Sequence, residues 1–330
     1  MKRFLSAAAL AAVLIVGISP AAWCQSTEKV RRVGILLSTS MSDANAIGTM
    51  GAFMDGLRKE GWEEGRNVMI ETRSARGDAA RFPQLAEELI ELKVDVIMSG
   101  YTPALAAARS KTTTIPIIMV SVADPVGSGL VASLARPGAN ITGIANQIET
   151  ISAKNLELLK ESAPRLKRVG IIFSPDNSPS VRTVKAMQEE VAPRLGLTVL
   201  PIGVTKAEDF DEAFGTIVRE QVDALHVLPT QVVIAHRTKI ADFAMQRRLP
   251  TTAPVDVLVR GGLLMSYGYD AKTAWGRAAS YVNRIFKGAV PSELPVEQVD
   301  RFQIIINLKT ANTIGFDPTS VLSRADEVIQ

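Results

Sequence analysis

Cysteine is nearly missing from this 330-residue chain, which contains Cys24 alone. A single cysteine rules out a disulfide framework and any zinc site built on several cysteines. Histidine is almost as scarce, so a Ser-His-Asp triad would have to use His226 or His236. The first of these lies inside an apolar run, where a buried core histidine is expected, and the second lies in a predicted helix.

Motifs for common enzyme chemistry are missing as well. The chain has no G-x-S-x-G nucleophile motif, no phosphate-binding P-loop and no H-E-x-x-H metal motif. Its sequence also lacks the clusters of ligating side chains that hold metal ions. We therefore expect no catalytic residues, no metal site and no cofactor, although an enzyme of the α/β class stays an alternative.

Neither sign of charge is in excess. The chain has 37 Lys and Arg against 34 Asp and Glu, a net charge of +3, and the basic residues are interleaved with acidic ones. This balance argues against a nucleic-acid partner. Hydrophobic residues make up 47% of the chain, too many for a disordered protein, and the length suggests about two domains.

The longest uncharged apolar run, residues 4–18, is shorter than the roughly 20 residues that span a membrane. It follows two basic residues and precedes Ala22 and Cys24, which is the layout of a secretory signal cleaved after Cys24. We therefore predict a signal peptide over residues 1–24 and a periplasmic protein. The alternatives are lipidation at Cys24, which the bulky Trp23 disfavours, and a retained anchor helix.

Short apolar runs alternate with amphipathic segments from residue 30 onward, and the alternation occurs twice. Residues 33–38 (VGILLS) resemble residues 169–174 (VGIIFS), and two further pairs of runs recur in the same order at similar spacing. Strands that are apolar throughout and are joined by helices are typical of parallel sheets covered on both faces. The sequence therefore predicts two similar α/β units.

Polar residues follow the predicted strands of both units. In open parallel sheets, ligands bind outside the carboxyl ends of the strands, near helix N-termini that carry unpaired N–H groups. Hydroxyl, amide and carboxylate groups there suit a small polar ligand, although a Ser or Thr could equally cap the following helix. The candidate ligand-binding residues at these ends are Ser38, Thr39, Tyr101, Thr102, Asp124, Ser174, Asn177, Ser178, Thr230, Asp256 and Tyr267.

Tyrosines and two aspartates are the most informative of these positions. Tyr101, Tyr267 and Tyr269, three of the four tyrosines, fall at predicted strand ends, where a ring and a hydroxyl suit a half-wet cleft. Packing between the two units is the alternative. Asp124 and Asp256 occupy equivalent places, where a carboxylate could hold an amino group or accept N–H bonds from its own loop. We favour the ligand for Asp124.

Six segments together resemble the ABC-transporter substrate-binding family that includes tryptophan- and tyrosine-binding lipoproteins of Gram-positive bacteria. The segments are residues 61–67 (GWEEGRN), 121–131 (SVADPVGSGLV), 134–143 (LARPGANITG), 262–268 (GLLMSYG), 284–289 (RIFKGA) and 306–311 (INLKTA). The resemblance covers nearly all of residues 30–330. It implies the α/β fold of type I periplasmic binding proteins, in which two Rossmann-like lobes with parallel sheets are joined by a hinge.

The resemblance also implies a function and a domain organisation. The function is capture of a small solute by hinge closure and delivery to a membrane permease with a cytoplasmic ATPase, by a protein expected to be a monomer. The first lobe would comprise residues 25–145 plus about 270–295, and the second residues 146–269. Residues 296–330 would close the lobes, and hinges are expected at residues 144–147 and 269–272.

The chain departs from the family at the first crossing between the lobes. Some members that bind aromatic amino acids carry Ser-Asp there, whereas this chain has Asn146 and Gln147. Asn146 therefore joins the candidate ligand-binding residues. If the family's aspartate holds the ammonium of the ligand, its loss leaves an amino acid, a decarboxylated or amidated relative, or another small acid as candidate ligands. A periplasmic sensor that presents its ligand to a receptor is the alternative function.

Overall fold

The computed structural model describes residues 29–40, 42, 44–176 and 178–330. The predicted signal peptide, residues 1–24, lies outside the described residues, and so does Cys24. Within the described ranges, no helix combines the length and the apolar character that a membrane span requires.

The first sheet has six parallel strands in the order β2-β1-β3-β4-β5-β11, with labels that follow the chain. These strands are β1 Arg31–Leu37, β2 Val68–Ser74, β3 Val96–Ser99, β4 Ile117–Ala123, β5 Ile141–Asn146 and β11 Glu297–Gln298. The helices that pack on this sheet are α1 Ala44–Lys59, α2 Phe82–Glu91, α3 Thr102–Lys111 and α11 Ala271–Phe286. We call this sheet and its helices the first lobe.

The second sheet has seven strands in the order β7-β6-β8-β9-β10-β12-β13, and β12 runs antiparallel to β10. These strands are β6 Arg168–Phe173, β7 Thr198–Gly203, β8 Ala224–Val227, β9 Thr251–Ala253, β10 Met265–Tyr269, β12 Phe302–Asn307 and β13 Glu327–Ile329. Its helices are α4 Ile148–Ser162, α5 Ser178–Ala186, α6 Ala192–Leu195, α7 Asp209–Arg219, α8 Gln231–Ala235, α9 Arg237–Gln246, α10 Asp256–Arg260, α12 Leu308–Ile314 and α13 Thr319–Leu322. We call these elements the second lobe.

The predicted repeat is confirmed by the strand order. The first five strands of each lobe follow the same sequence across the sheet, since β2-β1-β3-β4-β5 corresponds to β7-β6-β8-β9-β10. Even a loop contact recurs: Asp95 accepts a hydrogen bond from the backbone N–H of Arg32, and Asp223 accepts one from that of Arg168, each at 2.8 Å. These two aspartates therefore hold strand starts together, as expected for turn groups far from a cleft.

Both faces of each sheet are covered, because the strands are apolar on both sides. Val33, Ile97 and Ile118 of the first sheet are completely buried, as are Ile171 and Leu225 of the second. His226 of β8 is completely buried too, and burial lowers its pKa to about 3, so the ring is neutral. The histidine is thus a core residue, as its apolar surroundings in the sequence indicate.

The chain passes between the two sheets three times in the described residues. It leaves the first sheet after Asn146, returns after Tyr269, and passes to the second sheet again between Gln298 and Phe302. The first two connections fall where hinges are expected, whereas the third was not expected from the sequence. The strand order supports the predicted lobe boundaries, which remain a proposal. Within the segment expected to close the lobes, residues 296–330, β11 joins the first sheet and β12 and β13 the second.

Candidate ligand-binding cleft

A cavity of about 220 Å³ lies where the carboxyl ends of strands from both sheets meet; we call it the inner cavity. Its wall includes seven of the predicted site residues: Ser38, Thr39, Tyr101, Thr102, Asn146, Thr230 and Asp256. The first four follow β1 and β3, the strands between which the chain order of the first sheet reverses. Such a reversal leaves a crevice outside the strand ends, which is why these residues converge.

Three helices, α3, α8 and α10, begin at the cavity without a side-chain cap. The residue before α3 is Tyr101 and the residue before α8 is Thr230, and neither side chain accepts a bond from its helix. The capping alternative does not apply to Thr102, because Thr102 is already the first helical residue of α3. Its hydroxyl lines the cavity instead, beside N–H groups that carry the positive end of the helix dipole.

The end of β4 is irregular where it borders the cavity. The register between β4 and β5 shifts between Met119 and Val122, and Ser121 takes a left-handed backbone conformation with φ 57°. Opposite this bulge stands Gly143 with φ 133°, where a Cβ atom would overlap the carbonyl oxygen of Met119. The bulge is held by Asn146, whose Nδ2 donates to the Ser121 carbonyl at 2.7 Å. Bulges of this kind commonly redirect side chains next to binding sites.

Two buried hydroxyl groups in the cavity wall have no protein partner. Ser121 and Thr230 are 6% and 4% exposed, and neither side-chain oxygen makes a hydrogen bond within the described residues. A buried hydroxyl without a partner destabilises a fold by about 1–3 kcal/mol. Both residues line the inner cavity, one from each lobe, so their hydroxyls are candidates for bonds to a ligand.

Aromatic side chains form another part of the wall. Tyr101 packs against Phe82 with ring centroids 5.6 Å apart, and burial raises the pKa of its hydroxyl. Burial raises the pKa of Tyr269 to about 12, with a hydrogen bond to Asn146 acting in the opposite direction. Trp275 of α11 adds a third ring and is 8% exposed. Both phenols are therefore neutral and able to donate a hydrogen bond at neutral pH.

The remaining predicted residues lie elsewhere. Asp124 does not line the inner cavity: its carboxylate accepts a bond from the Gly127 N–H at 2.8 Å and pairs with Arg182. Tyr267 does not line it either, because its ring stacks on Phe302 with centroids 5.5 Å apart. For Asp124 this geometry agrees with the loop alternative that the sequence left open. Tyr267 packs on Phe302 within the second lobe, rather than between the two units.

Three further predicted residues, Ser174, Asn177 and Ser178, are not among the described residues that line the inner cavity. Ser174 lines an outer, more open cavity of about 940 Å³, which shares Tyr101 and Thr230 with the inner one. Ser178 is the first residue of α5. Asn177 lies outside the described residues. We call the outer space the vestibule.

The two lobes touch across the vestibule. Nη2 of Arg182 on α5 lies 2.6 Å from Oδ2 of Asp124, which follows β4, and Nε2 of Gln231 donates to the Ser38 carbonyl at 3.2 Å. The charged cluster extends to Glu149, whose pKa is raised chiefly by burial and next by the charge of Asp124. Contacts of this kind join the first lobe to the second, so the cleft stands closed in this structure.

Some cavity residues were missing from the sequence-based set of candidates. Ser121 falls inside a strand, and Thr183 lies one turn into α5. Trp275 lies in α11, a helix of the first lobe that comes after β10 of the second lobe in the chain. Tyr269 stood out as a tyrosine at a strand end, but its nearness to Asn146 follows only from the fold. Among the described residues, no group of three metal-ligating side chains occurs.

Comparisons with known proteins agree with this architecture. The family model for ABC transporter substrate binding proteins matches residues 33–329. The chain is 27% identical over 268 residues to a tyrosine-binding protein of Clostridioides difficile (strain R20291), covering 81% of this chain and 76% of that protein.

Two solved structures show the likeness in three dimensions. The ABC domain in complex with L-Trp from Streptococcus pneumonia is 26% identical, with a TM-score of 0.83 over 91% of this chain and 99% of that one. The ligand-free, open structure of a substrate-binding protein with adhesive properties from Clostridium difficile is also 26% identical, with a TM-score of 0.69 over 91% and 100%. The chain belongs to the family of ABC transporter substrate-binding proteins and has the fold of type I periplasmic binding proteins.

Proposed function

We propose that this protein is the extracytoplasmic solute-binding component of an ABC importer, which captures a small polar solute between its lobes. The observation that carries the proposal is the inner cavity, whose wall combines strand ends of both sheets with the unpartnered hydroxyls of Ser121 and Thr230. A ligand that bonds to both lobes stabilises the closed form by its differential affinity for that form. Release follows when the lobes part.

An amino acid or a close relative, aromatic in character, fits this wall best. Tyr101, Tyr269 and Trp275 supply rings, and the hydroxyls and amides between them supply hydrogen bonds. Affinity in the micromolar range corresponds to about −8 kcal/mol. A few buried hydrogen bonds of about 1 kcal/mol each and one stacked ring could supply much of that free energy. The relatives that bind tyrosine and L-Trp support this ligand class.

The closed cleft supports the hinge mechanism. The likeness is greater to the L-Trp complex, with a TM-score of 0.83, than to the ligand-free open structure, with a TM-score of 0.69. Sequence identity is 26% in both comparisons, so it does not account for the difference between the two TM-scores. A change in the relative orientation of the lobes would account for it. The protein would alternate between these two arrangements as solute binds and leaves.

The partners and the location follow from the family. A permease and a cytoplasmic ATPase would accept the solute, and the predicted signal over residues 1–24 would deliver the chain to the periplasm as a monomer. Nucleic acid is not an expected partner.

Native mass spectrometry of freshly purified protein, followed by X-ray scattering after removal of any bound compound, tests the proposal. We expect a bound small molecule with an aromatic or amino-acid mass, and a decrease in the radius of gyration when it is returned. The compound should be recovered chemically unchanged, because capture does not alter it. Turnover of the compound, or scattering that stays invariant across a panel of amino acids and amines, would contradict the proposal.

A further inference from the structure

Charge is distributed unevenly in the inner cavity. Asp256 is the only charged side chain among the described residues that line it, and the other polar groups are neutral hydroxyls and amides. Cations occur in the vestibule, where Arg76, Arg182 and Lys206 are found, but none lines the inner cavity. A ligand in the inner cavity therefore meets one charged side chain among the described residues, and that side chain is negative.

The carboxylate of Asp256 is not fully neutralised by its protein partner. Its Oδ2 lies 3.1 Å from Nε of Arg260, four residues along the same helix. Arg260 is already held by Glu327 of β13, whose two carboxylate oxygens accept from its two terminal nitrogens at 2.8 and 2.7 Å. One arginine thus faces two carboxylates, and this three-residue array has a net charge of −1.

One more cation acts on the array from outside the cavity. Lys272 of α11 attracts Glu327 electrostatically, but no ion pair joins Lys272 to Asp256 in the described residues, and Lys272 does not line the cavity. Because Coulomb attraction falls with distance, Lys272 compensates Asp256 less than Arg260 does, and further compensation has to come from a group inside the cavity. A positively charged group of the ligand meets that need.

We infer that Asp256 binds an ammonium group of the captured solute and thereby selects for amines, so that zwitterionic amino acids or simple aromatic amines are its ligand class. The inference rests on the proposed capture function and deepens it. Asn146, which lines the same cavity at the first crossing, has a neutral side chain and supplies no charge to the ligand. The hydroxyls of Ser121 and Thr230 are available for the polar remainder of the ligand.

Three related compounds distinguish the contribution of the amine to binding from that of the rest of the ligand. L-Tyrosine has both charged groups, tyramine keeps only the ammonium, and 3-(4-hydroxyphenyl)propanoate keeps only the carboxylate. Calorimetry should show that the unmodified protein binds tyramine at least about tenfold more tightly than 3-(4-hydroxyphenyl)propanoate. In Asp256→Asn this preference should fall by at least about tenfold.

Two variants serve as controls. Asp176→Asn makes the same change at an exposed carboxylate of the second lobe that lines the vestibule only, and it should leave the preference within about twofold. Arg260→Gln removes the ion pair but keeps the Asp256 carboxylate, and it should preserve or increase the preference for amines. A loss of affinity for all three compounds alike in Asp256→Asn would indicate that the residue only supports the fold, which overturns the inference.

The inference and the proposed function can fail separately. An unmodified protein that binds the deaminated acid as tightly as L-tyrosine, or that purifies with a solute lacking an amino group, overturns the role of Asp256 while capture stands. A protein that closes on none of the amino acids and amines tested overturns both.

Discussion

At the level of single residues, two buried serines without partners test whether a cavity hydroxyl contacts the ligand. Ser121 lines the inner cavity, whereas Ser152 of α4 is equally buried and lines neither cavity. Replacing either with alanine removes a hydroxyl that no protein group bonds, so the free energy of unfolding should stay level or rise by up to about 1 kcal/mol. Only Ser121→Ala should weaken ligand binding, by roughly fivefold.

Urea unfolding and calorimetry with the solute identified in the purified protein measure both quantities. If Ser152→Ala weakens binding as much as Ser121→Ala, the hydroxyl of Ser121 does not contact the ligand.

Residue types at strand ends made much of this wall predictable, and position along a strand decided the rest. Tyr267 and Tyr269 lie on the same face of β10, since side chains alternate along a strand. Tyr269 is the last residue and reaches the cavity, whereas Tyr267 sits about 7 Å further back and packs on Phe302. Sequence identifies both as cleft candidates, but a difference of two residues in strand length is beyond what a pattern can resolve.

Asp124 illustrates the same limit in a loop. Its equivalence to Asp256 in the sequence repeat suggests a ligand-binding carboxylate. The loop after β4 turns so that its own Gly127 N–H and the opposite Arg182 satisfy that carboxylate. A carboxylate in a tight turn is bonded by the nearest N–H groups, and no periodicity in the sequence reports which way the turn faces.

At the level of secondary-structure elements, the bulge between β4 and β5 can be tested by its effect on the free energy of unfolding. Gly143→Ala would force a side chain into a left-handed conformation against the Met119 carbonyl, so the free energy of unfolding should fall by about 3 kcal/mol. Gly215→Ala, in the interior of α7 with open space around it, should instead raise it by about 0.5–1 kcal/mol.

Urea denaturation of both variants gives the comparison directly. Equal stability of the two would mean that the strand can relax its register, and the bulge would then not be what orients Ser121.

Strand and helix positions were largely predictable because each apolar run is short and bounded by clear turn signals. The runs at residues 33–38 and 169–174 correspond to β1 and β6, and the halves repeat in the predicted order. The third crossing was not predictable, because β11 has only two residues, Glu297 and Gln298. Its membership of the first sheet depends on pairing with β5, which is far away in the sequence.

At the level of the whole molecule, the contacts that close the lobes can be tested by removing one ion pair between them. Arg182→Gln removes the ion pair between α5 and Asp124, which joins the lobes at the mouth of the cleft. Because both groups are partly exposed, the pair contributes at most about 1 kcal/mol to the closed form, so solute binding should weaken no more than about fivefold. X-ray scattering of the solute-free protein should show a larger mean radius of gyration.

Lys185→Gln is the matched control, since Lys185 lies on the same helix and, among the described residues, pairs only with Glu189 of the neighbouring turn. High salt should reproduce the effect of Arg182→Gln in the unmodified protein. A radius of gyration that changes equally in the two variants would show that the ion pair does not hold the lobes together.

Asn146 and Tyr269 each end a strand at a crossing between the lobes and also form part of the cavity wall. If the lobes turn about these two crossings as proposed, the axis runs beside the bound solute rather than behind it. Rotation about such an axis displaces atoms in proportion to their distance from it. A small displacement at the ligand therefore becomes a large displacement at the outer ends of the lobes. A membrane protein that distinguishes the ligand-bound from the ligand-free form would encounter the largest structural difference at those outer ends.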